Sequence, residues 1–213
     1  MPAIKNEKFR IGASHTIGTC VLPGEIITKV HQEVNRRITL NISACNEIVK
    51  AVKARKIDMG FIELKIEDNA LNCTPWMDDE LVFCSKKQLP AALAKEELKQ
   101  YRLLCAKVES IDRDVLDVVL LKQDVYRDDF NAIQELDNPT AIIQSIKFSN
   151  PHASVTPIGV VSKRAIEYEL KYNHFYVTSI NHAKILKKFY IVYRNDSAYA
   201  NEISRICKKV HSH

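Results

Sequence analysis

Two short runs, Ser14-His15-Thr16 and Asn138-Pro139-Thr140, place hydroxyl and amide side chains where a strand gives way to a helix. The chemistry open to such turns is non-covalent. The first backbone N–H groups of a helix lack internal partners and carry partial positive charge, so a helix N-terminus receives an anion. Pro139 suits the first helical position, where an N–H is not needed. His15 could pair with an acid in either of its protonation states. The competing reading is capping alone, since Ser, Thr, Asn and Asp end helices in many proteins that bind nothing there.

Covalent chemistry has little to stand on. Cys20 and His15 are the only nucleophile and base close in sequence, and a small buried Cys20 is the stronger reading. No Ser–His–Asp motif, phosphate loop or metal-ligand spacing occurs, so neither a catalytic residue nor a metal or other cofactor is expected. The six cysteines at 20, 45, 73, 84, 105 and 207 form no C-x-x-C pair. Several sit in apolar runs, as Cys84 and Cys105 do, and reduced thiols are expected.

The elements that must position these turns alternate between strand and helix. Residues 9–13 read as a buried strand entering the first turn. One helical turn at 17–21 follows, then a helix over about 23–35 with Ile26, Ile27, Val30 and Val34 on one face. A strand at 39–44, a helix capped by Asn46 and a strand at 57–63 continue the pattern. Strands at 71–76 and 80–85 come next, with Met77-Asp78-Asp79 as the turn. The second half opens with a short helix at 95–100 and a strand at 102–108. Asp112 then caps a helix to about 122. A strand at 131–136, a helix from the second turn to about 148, a strand at 154–162, a helix at 164–171 and a strand at 175–178 follow. A long strand at 183–194 and a helix capped by Ser197 close the chain. This order is that of parallel α/β sheets.

The chain has 213 residues, enough for one large or two small domains. It is 46% hydrophobic and 27% charged, with a net charge of +5. The basic residues are interspersed with acids and form no nucleic-acid stripe. No stretch is apolar enough to span a membrane, and no secretory signal opens the chain, so a cytoplasmic protein is expected.

Taken in order, these pieces resemble the effector-binding domain of LysR-type transcriptional regulators. The carriers are residues 9–18 followed by Leu22-Pro23, and Asn46-Glu47-Ile48-Val49 with Ile57-Asp58-Met59-Gly60-Phe61-Ile62-Glu63. Thr156-Pro157-Ile158-Gly159-Val160-Val161-Ser162 before Arg164, and Phe189-Tyr190-Ile191-Val192-Tyr193-Arg194 before the last helix, complete the set. The resemblance covers roughly residues 8–210 and rests on order and spacing together. It implies a type 2 periplasmic-binding-protein-like α/β fold of two Rossmann-like lobes joined by two crossover strands. Lobe I would be 7–86 plus 185–213 and lobe II 87–184, with a small-molecule effector in the cleft. Carried over by position, the ligand-binding residues would be Ser14, His15, Thr16, Asn46, Glu63, Glu109, Ser110, Asn138, Pro139, Thr140, Thr156 and Pro157.

The effector expected from the two hydroxyl turns is a carboxylate or oxyanion, although Glu63 and Glu109 would make the site less welcoming to an anion or let it take an amine too. Pro157-Ile158-Gly159 also departs from the Gly-rich turn of many relatives. The family's N-terminal winged helix-turn-helix and linker helix have no counterpart among these residues, and an excised effector domain is expected. Promoter DNA would be contacted only through that region. The family further implies a homodimer, with a tetramer in the full-length protein. The alternative is a free-standing or transport-associated solute-binding protein, and an enzyme on this fold is the least supported reading.

Overall fold

A computed structural model describes residues 5–210. In chain order the elements are β1 (Lys5–Ala13), a single π-helical turn (Ile17–Val21), α1 (Glu25–Val34), β2 (Arg36–Ile42), α2 (Cys45–Lys53), β3 (Met59–Ile62) and β4 (Leu71–Ser85). They continue as β5 (Ala92–Leu93), a 3-10 turn (Lys95–Gln100), β6 (Tyr101–Ala106), α3 (Ile111–Lys122), β7 (Ala132–Leu136), α4 (Pro139–Lys147) and β8 (Thr156–Ser162). Then come α5 (Glu167–Lys171), β9 (Tyr176–Ile180), β10 (Ile185–Arg194) and α6 (Ala200–Val210). The chain divides into two compact units, Met1–Asp78 with Lys188–His213 (unit 1) and Asp79–Lys187 (unit 2).

Unit 1 is built on β2, β1 and β3 in parallel, with β10 antiparallel to β3. Alternation along β1 turns Phe9, Ile11 and Ala13 into one core, where α1 and α6 cover them with Ile26, Val30, Val34, Ile203, Ile206 and Val210. Full burial of an apolar side chain such as Phe9 or Phe61 stabilises by about 1.5–3 kcal/mol. The opposite face is shaped by glycine. Gly12 and Gly60 are register partners. A Cβ on Gly12 would lie 3.1 Å from Ile48 Cγ2, and one on Gly60 2.8 Å from the same atom, so the bare backbones let α2 approach the sheet.

Unit 2 has the parallel strands β8, β6 and β7, with β4 antiparallel to β8 and β9 antiparallel to β4. The short β5 extends β9. One face packs Leu81, Phe83, Ile158 and Val160 against Leu116 and Leu120 of α3. The other packs Val82, Cys84 and Val161 against Ile142, Ile143 and Ile146 of α4.

Three local expectations are corrected. Residues 71–85 form one continuous strand, with no turn at Met77-Asp78-Asp79. Aspartate is a poor strand residue in isolation, but Asp79 is buried against Lys187, and that tertiary contact overrides the local preference. Asn46 is not a cap: Ala44 precedes α2, and Asn46 Oδ1 accepts from the Glu47 N–H within the first turn. Asp112 is likewise inside α3, because the Ser110 hydroxyl accepts from the Arg113 N–H at 3.1 Å and begins the helix earlier.

Candidate functional site

In each unit the strand order reverses beside one strand. In unit 1 the chain runs from β1 through α1 to β2, then returns through α2 past β1 to β3. In unit 2 it runs from β6 through α3 to β7, then returns through α4 past β6 to β8. The connections on either side of such a reversal diverge and leave a crevice outside the strand C-terminal ends, where open α/β sheets take ligands. Apart from Thr156 and Pro157, the residues of interest in both units lie at these ends.

At the pole of unit 1, the Ser14 N–H donates to the Phe61 carbonyl at 3.0 Å, and the Ser14 hydroxyl donates to Glu63 Oε1. Glu63 follows β3 directly, and its own N–H donates to Cys45 Sγ at 3.4 Å at the start of α2. Ser14 and Thr16 are buried, whereas His15 is exposed and contributes its carbonyl to the Thr19 hydroxyl. Asn46 is exposed in the first turn of α2. The pole therefore offers a seryl hydroxyl already committed to a carboxylate.

At the pole of unit 2, two helix N-termini stand over neighbouring strands. Ser110 caps α3, and Asn138 caps α4 by accepting from the Ala141 N–H at 2.9 Å. Pro139 is buried at the first helical position, with Thr140 exposed beside it. The loop residue Glu109 is exposed and has φ 73, a left-handed conformation that few non-glycine residues adopt outside functional or tight turns. The two loops are tied together by the Lys107 N–H on the Leu136 carbonyl at 3.1 Å and by Lys107 Nζ 2.9 Å from Asp137. The Asp137 hydrogen bond raises the Lys107 pKa and lowers that of Asp137.

Thr156 and Pro157 stand apart from these groups. They open β8 and are buried at its N-terminal end, where Thr156 is the register partner of Tyr101. The strand between them and the pole is seven residues long, so the structure does not bring them to the loops that hold Glu109, Ser110, Asn138 and Thr140.

Sequence reasoning missed the most buried charged group of unit 2. Lys187 Nζ lies 2.5 Å from Asp112 Oδ1 and 3.6 Å from Asp79 Oδ2. The side chains of Lys187 and Asp79 are 2% and 0% exposed. Asp112 sits in the first turn of α3, so this ion group belongs to the same strand-end pole. The signal was present in β10, where Lys187 falls in phase with Ile185, Phe189 and Ile191, the buried set of an alternating strand. Arg113 was also missed. It is buried in α3 and donates to Asp117, Glu135, Cys105 Sγ and the Ala106 carbonyl, fastening the helix to β6 and β7.

Among the described residues no group of His, Cys, Asp and Glu is placed to hold a metal ion, and no helix is long and apolar enough to cross a membrane.

The family model of the LysR substrate binding domain matches residues 5–208. This chain belongs to that family. It is a family of transcription regulators and not of enzymes. A LysR-family relative, the uncharacterized HTH-type transcriptional regulator YeiE of Escherichia coli (strain K12), is 25% identical over 203 residues, which is 94% of this chain and 66% of that protein. Just under two thirds of the relative's length is therefore spanned. Among solved structures, the cofactor-binding domain of the Cbl transcriptional regulator superposes with a TM-score of 0.76 at 15% identity, covering 98% of this chain and 89% of that one. The effector binding domain of QuiR in complex with shikimate gives 0.70 at 15% identity, over 97% and 96% of the two chains. These LysR-domain likenesses establish the periplasmic-binding-protein-like type 2 fold.

Proposed function

We propose that this LysR substrate-binding domain senses a small carboxylate or oxyanion in the cytoplasm, holds it without chemical change, and passes its occupancy to a DNA-binding region of a longer regulator. The observation that carries the reading is the pole of unit 2, where the capped N-termini of α3 and α4 follow the C-terminal ends of the neighbouring parallel strands β6 and β7, one helix on each face of the sheet. Their dipoles favour negative charge there. QuiR, of the same fold, is solved with shikimate, which fits a ligand of this class. Within unit 2 the ligand contacts we assign are Glu109, Ser110, Asn138 and Thr140; the candidates of unit 1, at its own pole, are Ser14, Thr16 and Glu63, with His15 and Asn46 at the margin. Occupancy can reset DNA binding only through a difference in ligand affinity between two states.

A homodimer is part of the proposal. Val118 and Leu121 of α3 are more than half exposed, an apolar pair on the outer face of a helix that a second copy would cover.

Thermal unfolding in the presence of a panel of small carboxylic and phosphorylated acids tests the reading. A binder raises the midpoint as the logarithm of its concentration over Kd, and is recovered unchanged. Thr140→Val weakens that binder about fivefold or more if its hydroxyl donates to a ligand oxygen. Turnover of the binder would replace the sensor with an enzyme, and sedimentation as a monomer would remove the dimer.

A further inference from the structure

The buried polar group at the pole of unit 2 is not satisfied within the protein. Asp79, Leu81 and Phe83 alternate onto the face that α3 covers. Ser162 is the register partner of Leu81 and points to that same face. Asp79 and Ser162 are thus diagonal neighbours, one pleat apart, at the C-terminal end of β8. The Asp79 side chain is 0% exposed and Ser162 is 0% exposed. Neither carboxylate oxygen of Asp79 and not the hydroxyl of Ser162 has a hydrogen-bond partner. Lys187 does not supply one, since its ammonium stands 2.5 Å from Asp112 and 3.6 Å from Asp79.

These atoms share one chemical need. A carboxylate is only an acceptor, and a hydroxyl has acceptor lone pairs as well as a proton. Asp79, Lys187 and Asp112 together carry one more negative than positive charge. Buried acceptors of this kind are costly when left without donors. The position is at the strand end where an α/β unit takes its ligand, and Lys187 links it to Asp112 in the first turn of α3. The matching partner brings a donor to Asp79 and an acid to the N-terminus of α3.

We propose that Asp79 and Ser162 form a donor-recognising subsite, and that the effector is a hydroxy acid or amino acid rather than a plain acid. This rests on the effector-sensing reading above and narrows its ligand class. The subsite selects by leaving the Asp79 oxygens without a hydrogen-bond donor when a ligand lacks one, which is how sites built to hydrogen-bond an OH or NH reject the analogue without it.

Matched acids test this on the whole chain. Calorimetric titration would compare malate and aspartate with succinate, lactate and alanine with propionate, and shikimate with cyclohexene carboxylate. The donor-bearing member of each pair that binds is expected to bind roughly ten- to a hundredfold tighter. Asp79→Asn keeps the side-chain volume and Ser162→Ala removes only the hydroxyl oxygen, so both should fold, as circular dichroism would verify. Asp79→Asn is expected to shrink that ratio at least about fivefold, and Ser162→Ala to shrink it less. Equal binding within every pair, or an unchanged ratio in Asp79→Asn, overturns the subsite and leaves the acid sensor standing. If no acid of either kind binds, the sensor reading itself falls, and the subsite with it.

Discussion

Ser14 and Glu63 stand 49 residues apart in sequence, yet the Ser14 hydroxyl donates to Glu63 Oε1 across the adjoining ends of β1 and β3. The bond makes the first hydroxyl turn part of an ion-bearing site. It also fixes the backbone that leads into the π-helical turn. Ser14→Ala is expected to lower stability by about 1 kcal/mol. In a double-mutant cycle with Glu63→Gln, the coupling between the two positions should exceed about 0.5 kcal/mol. Urea unfolding of the four proteins measures it, and additive losses would show that the contact contributes nothing of its own.

Lys187 separates two carboxylates, one of them fully buried. Lys187→Met would leave Asp79 and Asp112 facing each other without a cation. The expected loss is about 3–5 kcal/mol. Adding Asp112→Asn removes one of the two charges and should restore at least about 1 kcal/mol of it. A double variant no more stable than the single one would mean that Lys187 matters for its packing and not for its charge.

Gly60 and Gly12 are neighbours in register but differ in what a methyl group would meet. On Gly60 it would lie 2.8 Å from both Ile48 Cγ2 and Val192 Cγ1, the stiff ends of two β-branched side chains. On Gly12 the nearest atom is Ile57 Cδ1 at 2.6 Å, the far end of a side chain that can turn away. Gly60→Ala is therefore expected to cost about 1–3 kcal/mol, and Gly12→Ala less. Thermal midpoints of the two variants give the order directly.

The outcome for Gly60 bears on what could be read without coordinates. Periodicity identified α1 and α6 because their apolar residues recur at helical spacing, and the strands read at 9–13, 57–63 and 154–162 take in Gly12, Gly60 and Gly159. The alternation of strands and helices sufficed for the α/β class. The breaks in the reading occur where a distant partner, the path of the backbone or the direction of a strand decides. Asp79 was taken for a turn because the lysine that buries it lies in β10. Asn46 and Asp112 were taken for caps because either side chain could serve, and only the path of the backbone chooses Ala44 and Ser110. Ser14 and Glu63 were each singled out, but no local rule says that a hydroxyl after β1 will meet a carboxylate after β3. Thr156 and Pro157 failed to join the other candidates for a simple reason of direction, since they begin a parallel strand whose far end carries the pole.

Asp196 gives a test by acid. Its carboxylate accepts from Arg194 Nε at 2.8 Å and from Arg55 Nη2 at 2.5 Å. The Arg194 hydrogen bond, helped by that from Arg55 and by both positive charges, lowers its pKa from the ordinary 3.8 to about 2. The fold favours the ionised form, so the contribution is complete above the ordinary value and is lost as pH falls towards about 2. Urea midpoints of wild type and Asp196→Asn should differ at pH 5 and converge near pH 2. A gap that does not narrow would exclude ionisation of Asp196 as its source.

The division of the chain has a consequence for how the protein is made. Unit 2 is one uninterrupted stretch, Asp79–Lys187, and every strand and helix in it is available once that stretch has been synthesised. Unit 1 is not. Its core draws Phe189 and Ile191 from β10 and Ile203, Ile206 and Val210 from α6, and the Trp76 indole donates to the Val210 carbonyl at 3.2 Å. Contacts between the two ends of a chain form late, and surface awaiting them is prone to aggregate. A nascent chain that has not yet reached Phe189 thus carries a completed unit 2 behind a first half of unit 1 whose Phe9, Phe61 and Trp76 still lack their cover.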